Sequence, residues 1–336
     1  MAIDYDLYNN GPRRRFPWVY VIGALVVGAL VVLYMRSGGK DENGGAAESE
    51  PTAATPPPMP GEDAPAESGA TTSAQTPSPS ATSLAQATKA DAEAERVLAD
   101  AKSLQAAERM PEARERLLLA LENPALSAAQ RERVEAKLAE IDILLVTSPR
   151  QMPGKITYTV QPGDSFSRIA SKHNCPELLI RKANGLESEK VMLHPGDNLR
   201  VLDHPAFAID VSKTENWLLL TLDGKFFKRY RVGTGVFGKT PVGTFAIREK
   251  TAEPAWWRPD GKCIPFGDKE NILGTRWMEI RATGETPTIR GYGIHGTWDN
   301  ASLGKQSSAG CIRMRNEDVE ELFILVPRGT PVTIHE

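Results

Sequence analysis

The stretch GYGIHGTWDNASLGKQSSAGCIRMRN, residues 291–316, decides both the fold and the chemistry expected of this chain. It places His295 at the end of a predicted strand, and Cys311, preceded by Gly310, shortly before a predicted helix. A cysteine attacks as a thiolate, so its pKa must fall from about 8.5, and a neighbouring imidazole achieves this by accepting the proton. We therefore predict that Cys311 is a nucleophile and His295 its base. The alternative is that each is an ordinary core or surface residue, which is the commoner case for a lone cysteine or histidine.

The residues next to the cysteine suggest how a substrate is held. Gly310 has no Cβ and lets the backbone approach a substrate closely. The backbone amides of Gly310 and Cys311 are candidates for an oxyanion hole, which stabilises charge on a reacting carbonyl oxygen. Arg313 is a candidate for binding a substrate carboxylate, with an ion pair to Asp318 as the alternative. Two further candidates for substrate contact lie near the pair: Ser308 and Tyr292.

The surrounding residues predict a mostly-β domain over 206–336. Apolar segments alternate or run together, and Asp223-Gly224 between two of them is a hairpin signal. One helix is predicted from Glu317 to Leu325, with Asn316 as its N-cap. The predicted strands cover residues 206–211, 217–222, 226–232, 243–248, 277–281, 292–295 and 331–335.

This domain resembles the L,D-transpeptidase (YkuD-type) catalytic domain. The signature is a His-Gly, here at His295, followed after a spacer by Ser-x-Gly-Cys-Ile-Arg-Met, here ending at Met314. Three other runs match that family: Gly233–Gly235, Lys239–Phe245 and Asn271–Trp277.

The resemblance implies a β-rich fold in which Cys311 is acylated and His295 acts as its base. The backbone carbonyl of Gly296 would orient the imidazole in place of an acidic side chain, and neither a metal nor a cofactor would be needed. One position departs from the pattern, because many members carry histidine where this chain has Ala309. His295 is therefore expected to be the only local base.

A smaller α+β module is predicted over residues 156–203. Its elements follow the order strand, helix, helix, strand at residues 157–160, 165–173, 176–183 and 198–201, with Asp164 or Ser165 capping the first helix. The runs 158–170 and 193–201, together with Asn184, resemble the LysM domain.

The LysM resemblance implies binding of glycan that contains N-acetylglucosamine, in a shallow groove between two loops. The residues expected in that groove are Gly163, Asp164, Ser165 and Asn184. The alternative is that residues of this module only build the core. It is favoured for Ile169 and Leu179, extends to Phe166, and stays open for Gly163, Asp164 and Ser165.

The N-terminal region predicts a membrane anchor. Residues 16–35 carry no charge, and at about 1.5 Å per residue they span the roughly 30 Å hydrocarbon core. Arg13–Arg15 precede this run and acidic residues follow it, which places residues 1–15 in the cytoplasm and the rest outside. We expect a single-pass protein of the bacterial inner membrane with a periplasmic catalytic domain. A cleaved signal peptide and a twin-arginine export signal are the weaker alternatives.

Two segments separate the anchor from the small module. Residues 36–83 are rich in Ala, Pro, Ser, Thr and Gly and predict a disordered linker. Residues 84–147 predict a helical module, with helices near 84–109, 111–121 and 128–145. In the last helix Ser127 is the expected N-cap and an apolar stripe is formed by Val134, Leu138, Ile141 and Leu145. This module is interpreted as a spacer or a contact site for an unknown protein partner, with a single tetratricopeptide-like unit as the alternative.

The net charge and the cysteine count exclude some classes of protein. A net charge of −3 and a pI near 6.1 argue against a nucleic-acid partner, which would require a strongly basic domain. Three cysteines do not form a disulfide framework. Cys175 and Cys263 are expected to be buried free thiols, with a disulfide between them as the alternative.

The two resemblances together imply a multidomain peptidoglycan enzyme of the acyltransferase class. In the reaction that the resemblance implies, Cys311 attacks a tetrapeptide stem, D-alanine leaves, and the acyl group passes to an amine of a second stem. If water is the acceptor instead, the chain is an L,D-carboxypeptidase. A non-catalytic protein that links membrane to peptidoglycan is the alternative from another class, although the His295 and Cys311 pair argues against it.

Overall fold

The computed structural model describes residues 81–186, 188 and 191–336. The expected cytoplasmic segment (1–15), transmembrane helix (16–35) and most of the expected linker (36–83) lie outside these residues. Within the described part of the chain, no helix is both long enough and apolar enough to cross a membrane.

Three helices form the helical module: α1 (Ala81–Ala106), α2 (Met110–Leu121) and α3 (Ala128–Val146). The structure confirms Ser127 as the N-cap of α3. Its hydroxyl accepts a hydrogen bond from the N–H of Gln130, and the Gln130 side chain accepts one from the N–H of Ser127. The predicted apolar stripe of α3 is fully buried: Val134, Leu138, Ile141 and Leu145.

The small module consists of β1 (Lys155–Thr159), α4 (Phe166–Lys172), α5 (Glu177–Ala183) and β2 (Asn198–Leu202). The two strands pair antiparallel, as the predicted order of elements requires. Of the two expected caps, Ser165 is the one that caps α4, by accepting from the N–H of Arg168. Three residues of this module were expected to build its core if they do not bind glycan, and all three are buried: Phe166, Ile169 and Leu179.

Lys155 joins this module to the helical module. The side chain is 7% exposed, and its ammonium group donates to the carbonyls of Leu145, Val146 and Ser148 at the end of α3. These carbonyls have no partner within the helix because α3 ends there. Burial lowers the pKa of Lys155 to about 8.

Replacing Lys155 with methionine should lower the free energy of unfolding by about 1–3 kcal/mol, because buried carbonyls lose their donor. The matched control is Lys262→Met, which removes an exposed ion pair with Glu270 and should cost less than about 1 kcal/mol. Urea unfolding followed by circular dichroism measures both. Equal losses in the two variants would contradict the role of Lys155.

The C-terminal domain is built on one eight-stranded sheet. The strands of this sheet are β3 (Phe207–Ser212), β4 (Trp217–Leu222), β5 (Lys225–Arg231), β7 (Gly243–Ala252), β10 (Arg276–Ala282), β11 (Gly293–Thr297), β13 (Ile312–Arg315) and β14 (Pro331–His335). Their order across the sheet is β13-β11-β10-β7-β14-β3-β4-β5. The pairs β11/β13 and β14/β3 are parallel and the other neighbours are antiparallel. The predicted mostly-β domain is thereby confirmed.

Two short ribbons complete the β structure. β6 (Thr234–Gly235) pairs with β12 (Gln306–Ser308), and β8 (Trp256–Trp257) pairs with β9 (Cys263–Ile264). The predicted hairpin at Asp223-Gly224 is confirmed between β4 and β5. Both residues have positive φ (53° and 73°), as a two-residue hairpin turn of this type requires.

The last helix, α6 (Asn316–Leu325), packs against β10, β11 and β13. Asn316 is its first residue and not its N-cap, so that prediction is wrong. The Asn316 side chain instead accepts a hydrogen bond from the N–H of Thr275 at 3.1 Å. It can do so because Gly274 and Gly296 have no Cβ, and a Cβ on either would lie within 2.3 Å of the Asn316 amide oxygen.

The helical module covers one edge of the sheet. α3 packs against the edge strand β5, and Glu135 of α3 forms an ion pair with Arg229 of β5 at 3.0 Å. An uncovered edge strand offers unpaired backbone groups to other chains. The module therefore has a contact within this chain, whereas the predicted protein partner stays a prediction.

Candidate active site

His295 and Cys311 are brought together by two parallel strands. Ile294 of β11 is paired with Ile312 of β13, and His295 is paired with Arg313. Cys311 directly precedes β13 and lies level with Gly293. From ordinary strand spacings, the Cα atoms of His295 and Cys311 are about 8 Å apart, within reach of the two side chains.

The imidazole of His295 is held by its own backbone neighbour. Nδ1 of His295 lies 2.7 Å from the carbonyl oxygen of Gly296. A carbonyl oxygen only accepts hydrogen bonds, so Nδ1 carries the proton and Nε2 keeps a free lone pair. This is the tautomer that a general base needs.

Water has little access to this imidazole. His295 is 3% exposed, and the ring of Trp277 on the neighbouring strand β10 lies 5.8 Å from it, centroid to centroid. Burial lowers the pKa of His295 to about 4, although the carbonyls of Gly296 and Leu273 favour the protonated ring. The positive charge of Arg313 acts in the same direction as burial. His295 is therefore neutral at pH 7.

The thiol of Cys311 is also uncharged in this environment. Burial raises its pKa, and the N–H of Gly293 and the charge of Arg313 oppose that change only in part. A lowered pKa of Cys311 was predicted from the sequence, whereas the structure has a thiol and an imidazole that are both neutral. The proton must therefore move to His295 as the sulfur attacks, as in general-base catalysis.

The turn before the nucleophile is closed by a serine. The hydroxyl of Ser308 donates to the carbonyl of Cys311 at 2.7 Å and accepts from the N–H of Gly310 at 3.0 Å. The Gly310 amide is thus occupied in this structure, which does not support its predicted place in an oxyanion hole. Ser308 is 9% exposed and shapes the turn from inside. Gly310 has a φ of +137°, and a Cβ there would lie 2.6 Å from the ring of Tyr292.

Thr240 is a buried residue of this site that the sequence analysis did not identify. Its hydroxyl donates to the carbonyl of Gly310 at 2.9 Å and accepts from the N–H of Gly235 at 2.7 Å. It lies within the run Lys239–Phe245, which matched a family motif but carried no assigned role. The contact joins residues 70 positions apart, so no local pattern reveals it.

Replacing Thr240 with valine should slow acylation of Cys311 about tenfold, because an isosteric side chain then holds the nucleophile turn without its two hydrogen bonds. Thr240→Ser is the matched control and should keep most of the rate, since it keeps the hydroxyl. Each variant is mixed with a reactive acyl compound in a quenched-flow instrument. Mass spectrometry of the acylated protein at each time point then gives the acylation rate of each variant. An unchanged rate in Thr240→Val would contradict this role.

Arg313 does not make the ion pair that was its alternative interpretation. Asp318 pairs with Arg315 at 3.0 Å, and Arg313 donates instead to the hydroxyl of Ser307. The Nε atom of Arg313 is buried without a hydrogen-bond partner among the described residues. Binding of a substrate carboxylate by Arg313 stays a prediction.

Asn271 orders the loop that leads to β10. Its Nδ2 donates to the carbonyls of Pro254, Ile264 and Pro265, and its Oδ1 accepts from the N–H of Leu273 at 2.9 Å. Leu273 in turn presents its carbonyl to His295. The run Asn271–Trp277 matched a family motif in the sequence, but this positioning role could not be read from it.

The residues expected in the glycan groove are tied into the small module. Asp164 accepts from the hydroxyl of Tyr158 and the N–H of Gln161, and Ser165 caps α4. Asn184 uses both ends of its side chain on backbone groups, those of Ile180 and Arg200. Gly163, with a φ of +83°, makes the turn before Asp164. Asn184 therefore supports the second loop through internal contacts, and glycan binding by these residues stays a prediction.

The remaining cysteines are free thiols in different surroundings. Cys175 is buried, as expected, but Cys263 is exposed, so the prediction of a buried thiol is wrong there. Cys263 lies on the short ribbon β8/β9, opposite the exposed Trp257, and this ribbon is too small to bury both of its faces. No disulfide joins the two.

Comparisons with known proteins bear on both C-terminal domains. Family models match the chain as an L,D-transpeptidase catalytic domain (YkuD) over residues 206–334 and as a LysM domain over residues 158–201. YkuD of Bacillus subtilis (strain 168), named as an L,D-transpeptidase, is 34% identical over 188 residues, which are 54% of this chain and 99% of that relative. YqjB of the same organism, named likewise, is 42% identical over 125 residues, 37% of this chain and 68% of the relative. The crystal structure of L,D-transpeptidase 3 from Mycobacterium tuberculosis matches with a TM-score of 0.32 and 18% identity, over 44% of this chain and 78% of that one.

Proposed function

This chain belongs to the L,D-transpeptidase family, and we propose that it is a membrane-anchored cysteine transpeptidase that cross-links or remodels peptidoglycan. The observation that carries the proposal is the hydrogen bond from Nδ1 of His295 to the carbonyl of Gly296. It leaves Nε2 as the acceptor for the thiol proton of Cys311. No acidic side chain is needed to hold the ring.

Acylation begins when the sulfur of Cys311 attacks the carbonyl carbon of an L-centred residue in a tetrapeptide stem. The thiol proton passes to Nε2 of His295, and the carbonyl oxygen becomes an oxyanion. Because Ser308 occupies the Gly310 amide, we assign the N–H of Cys311 as the donor to that oxyanion. The intermediate then collapses, the imidazolium protonates the leaving amine, and D-alanine departs to leave a thioester.

Transfer reverses the proton movements. An amine of a second stem attacks the thioester carbonyl, His295 accepts its proton, and the cysteine leaves as a thiol. Arg313, whose positive charge acts on both Cys311 and His295, is proposed to bind a carboxylate of the stem. The buried position of His295 beneath Trp277 limits the access of water, which favours an amine acceptor over hydrolysis.

The LysM domain is proposed to hold the glycan strand that carries these stems. In the arrangement we propose, residues 16–35 anchor the chain in the inner membrane of a bacterium, residues 36–83 span the gap to the wall, and both binding domains lie on the periplasmic side. The LysM domain and the catalytic domain then both face peptidoglycan, which supports a role in cell-wall biogenesis and cell shape.

The rate of acylation should stay flat between about pH 5 and pH 8 and fall only near pH 4. The base must be neutral to accept the thiol proton, and burial holds the pKa of His295 at about 4, below the usual value. The raised pKa of Cys311 keeps the thiol protonated across the same range. The pH profile of kcat/KM measures this, with circular dichroism at each pH as a control for folding. An acid limb near pH 6.5 would contradict a buried base.

Product analysis tests the proposed reaction. Incubation of the full-length chain with a disaccharide-tetrapeptide should give cross-linked dimer and free D-alanine. Disaccharide-tripeptide without dimer would assign the chain as an L,D-carboxypeptidase. Neither product, with retained binding to peptidoglycan, would leave only the non-catalytic linking role.

A further inference from the structure

Three metal-binding side chains meet where the LysM domain joins the catalytic domain. His173 directly follows α4, and Asp203 and His204 lie between β2 and β3. Nδ1 of His173 and Nδ1 of His204 each lie 2.7 Å from the same carboxylate oxygen of Asp203. The backbone draws the two histidines together as well, because the N–H of His204 donates to the carbonyl of His173 at 2.8 Å.

The three side chains differ in solvent exposure. The side chain of His173 is 9% exposed, whereas those of Asp203 and His204 are 38% and 64% exposed. Nε2 of His173 is buried and makes no hydrogen bond among the described residues. In this structure the Asp203 carboxylate holds the ring proton on Nδ1. A cation that binds at Nδ1 replaces that proton, and the neutral ring then carries its proton on Nε2.

The donor set matches a borderline divalent ion. Two imidazole nitrogens with one carboxylate oxygen suit zinc, whose bonds of about 2.0–2.2 Å place tetrahedral ligand atoms roughly 3.3 Å apart. The present 2.7 Å contacts must therefore open by about 0.6 Å, which the exposed His204 ring permits.

We propose that His173, Asp203 and His204 bind a divalent transition-metal ion, with Zn²⁺ as the best chemical match and water in the fourth position. The ion lies outside the active site and takes no part in the reaction at Cys311. It ties the end of α4 to the segment that enters the catalytic domain. Binding thereby fixes how the glycan-binding domain is joined to the catalyst.

Isothermal titration of the full-length chain with ZnCl₂ tests the proposal. The background is Cys263→Ala with Cys311→Ala, which removes both accessible thiols as competing ligands. One zinc ion per chain is expected. His204→Gln should weaken the affinity about 100-fold or more because it removes a ligand. His194→Gln, which changes another exposed histidine of the LysM domain, should leave the affinity unchanged.

Thermal unfolding gives a second readout. Zinc should raise the melting temperature of the background protein and of His194→Gln, but not that of His204→Gln, because a ligand that binds only the folded state stabilises it. Equal zinc affinity in the two histidine variants would overturn the proposal. So would the absence of binding by the background protein up to about 1 mM zinc.

Discussion

Replacing Cys311 with alanine should abolish release of D-alanine from a tetrapeptide stem. Cys311 is the one nucleophile of the proposed reaction, and without its sulfur neither a thioester nor transfer to an acceptor can occur. A loss of about 10⁴-fold or more in kcat is expected, since nucleophile and base act as one unit. D-alanine release, coupled to an oxidase assay, measures it.

The fold should survive this change. Cys311 is half-buried, and among the described residues its sulfur contacts the carbonyl of Gly291 at 3.6 Å and the N–H of Gly293. Cys263→Ala removes the exposed thiol and is the matched control, with full activity expected. Residual turnover in Cys311→Ala, or a large loss in Cys263→Ala, would place the nucleophile elsewhere.

Replacing His295 with glutamine should slow acylation about 10²–10⁴-fold at pH 7, the range expected for loss of a general base. With Ala309 before Gly310 and Cys311, residues 291–316 contain no histidine other than His295, so no other imidazole of the signature can take over. The variant should recover activity as the pH rises, because the thiol must then ionise without help and its pKa is raised by burial. The wild-type rate should not rise in that way.

His335→Gln is the control for this experiment. His335 lies in β14, pairs with Asp210 and has no contact with the nucleophile. Its substitution should leave the pH profile unchanged. A His295→Gln variant with the wild-type rate and a flat profile would show that His295 is not the base.

The parts of the fold that could be predicted are those that short-range chemistry determines. Ser127 and Ser165 precede amphipathic segments, so each capping role follows from a few neighbouring residues. The Asp223-Gly224 turn is equally local, since both residues tolerate positive φ. The prediction that Asn316 caps the last helix was wrong for the same reason. Asparagine has the chemistry of a capping residue, but the contact that Asn316 makes is with Thr275, 41 positions away.

The residues of the active site also divide into those that could be predicted from the sequence and those that could not. His295 and Cys311 could be identified because their residue types and surroundings carry the chemistry. Thr240 and Asn271 could not, because their roles depend on contacts between segments that are distant in sequence or belong to an irregular loop. The neutral state of the thiol was also missed, since burial, which decides it, arises from packing and not from the signature.

Peptide mapping of the full-length protein after treatment with a carbapenem tests the central claim most directly. The β-lactam carbonyl is a reactive acyl group that leaves a stable adduct on an attacking thiol. One adduct per chain is expected, located on Cys311, formed quickly in the wild type and at least about 100-fold more slowly in His295→Gln. An adduct on Cys263, or a rate at Cys311 that is the same with and without His295, would contradict it.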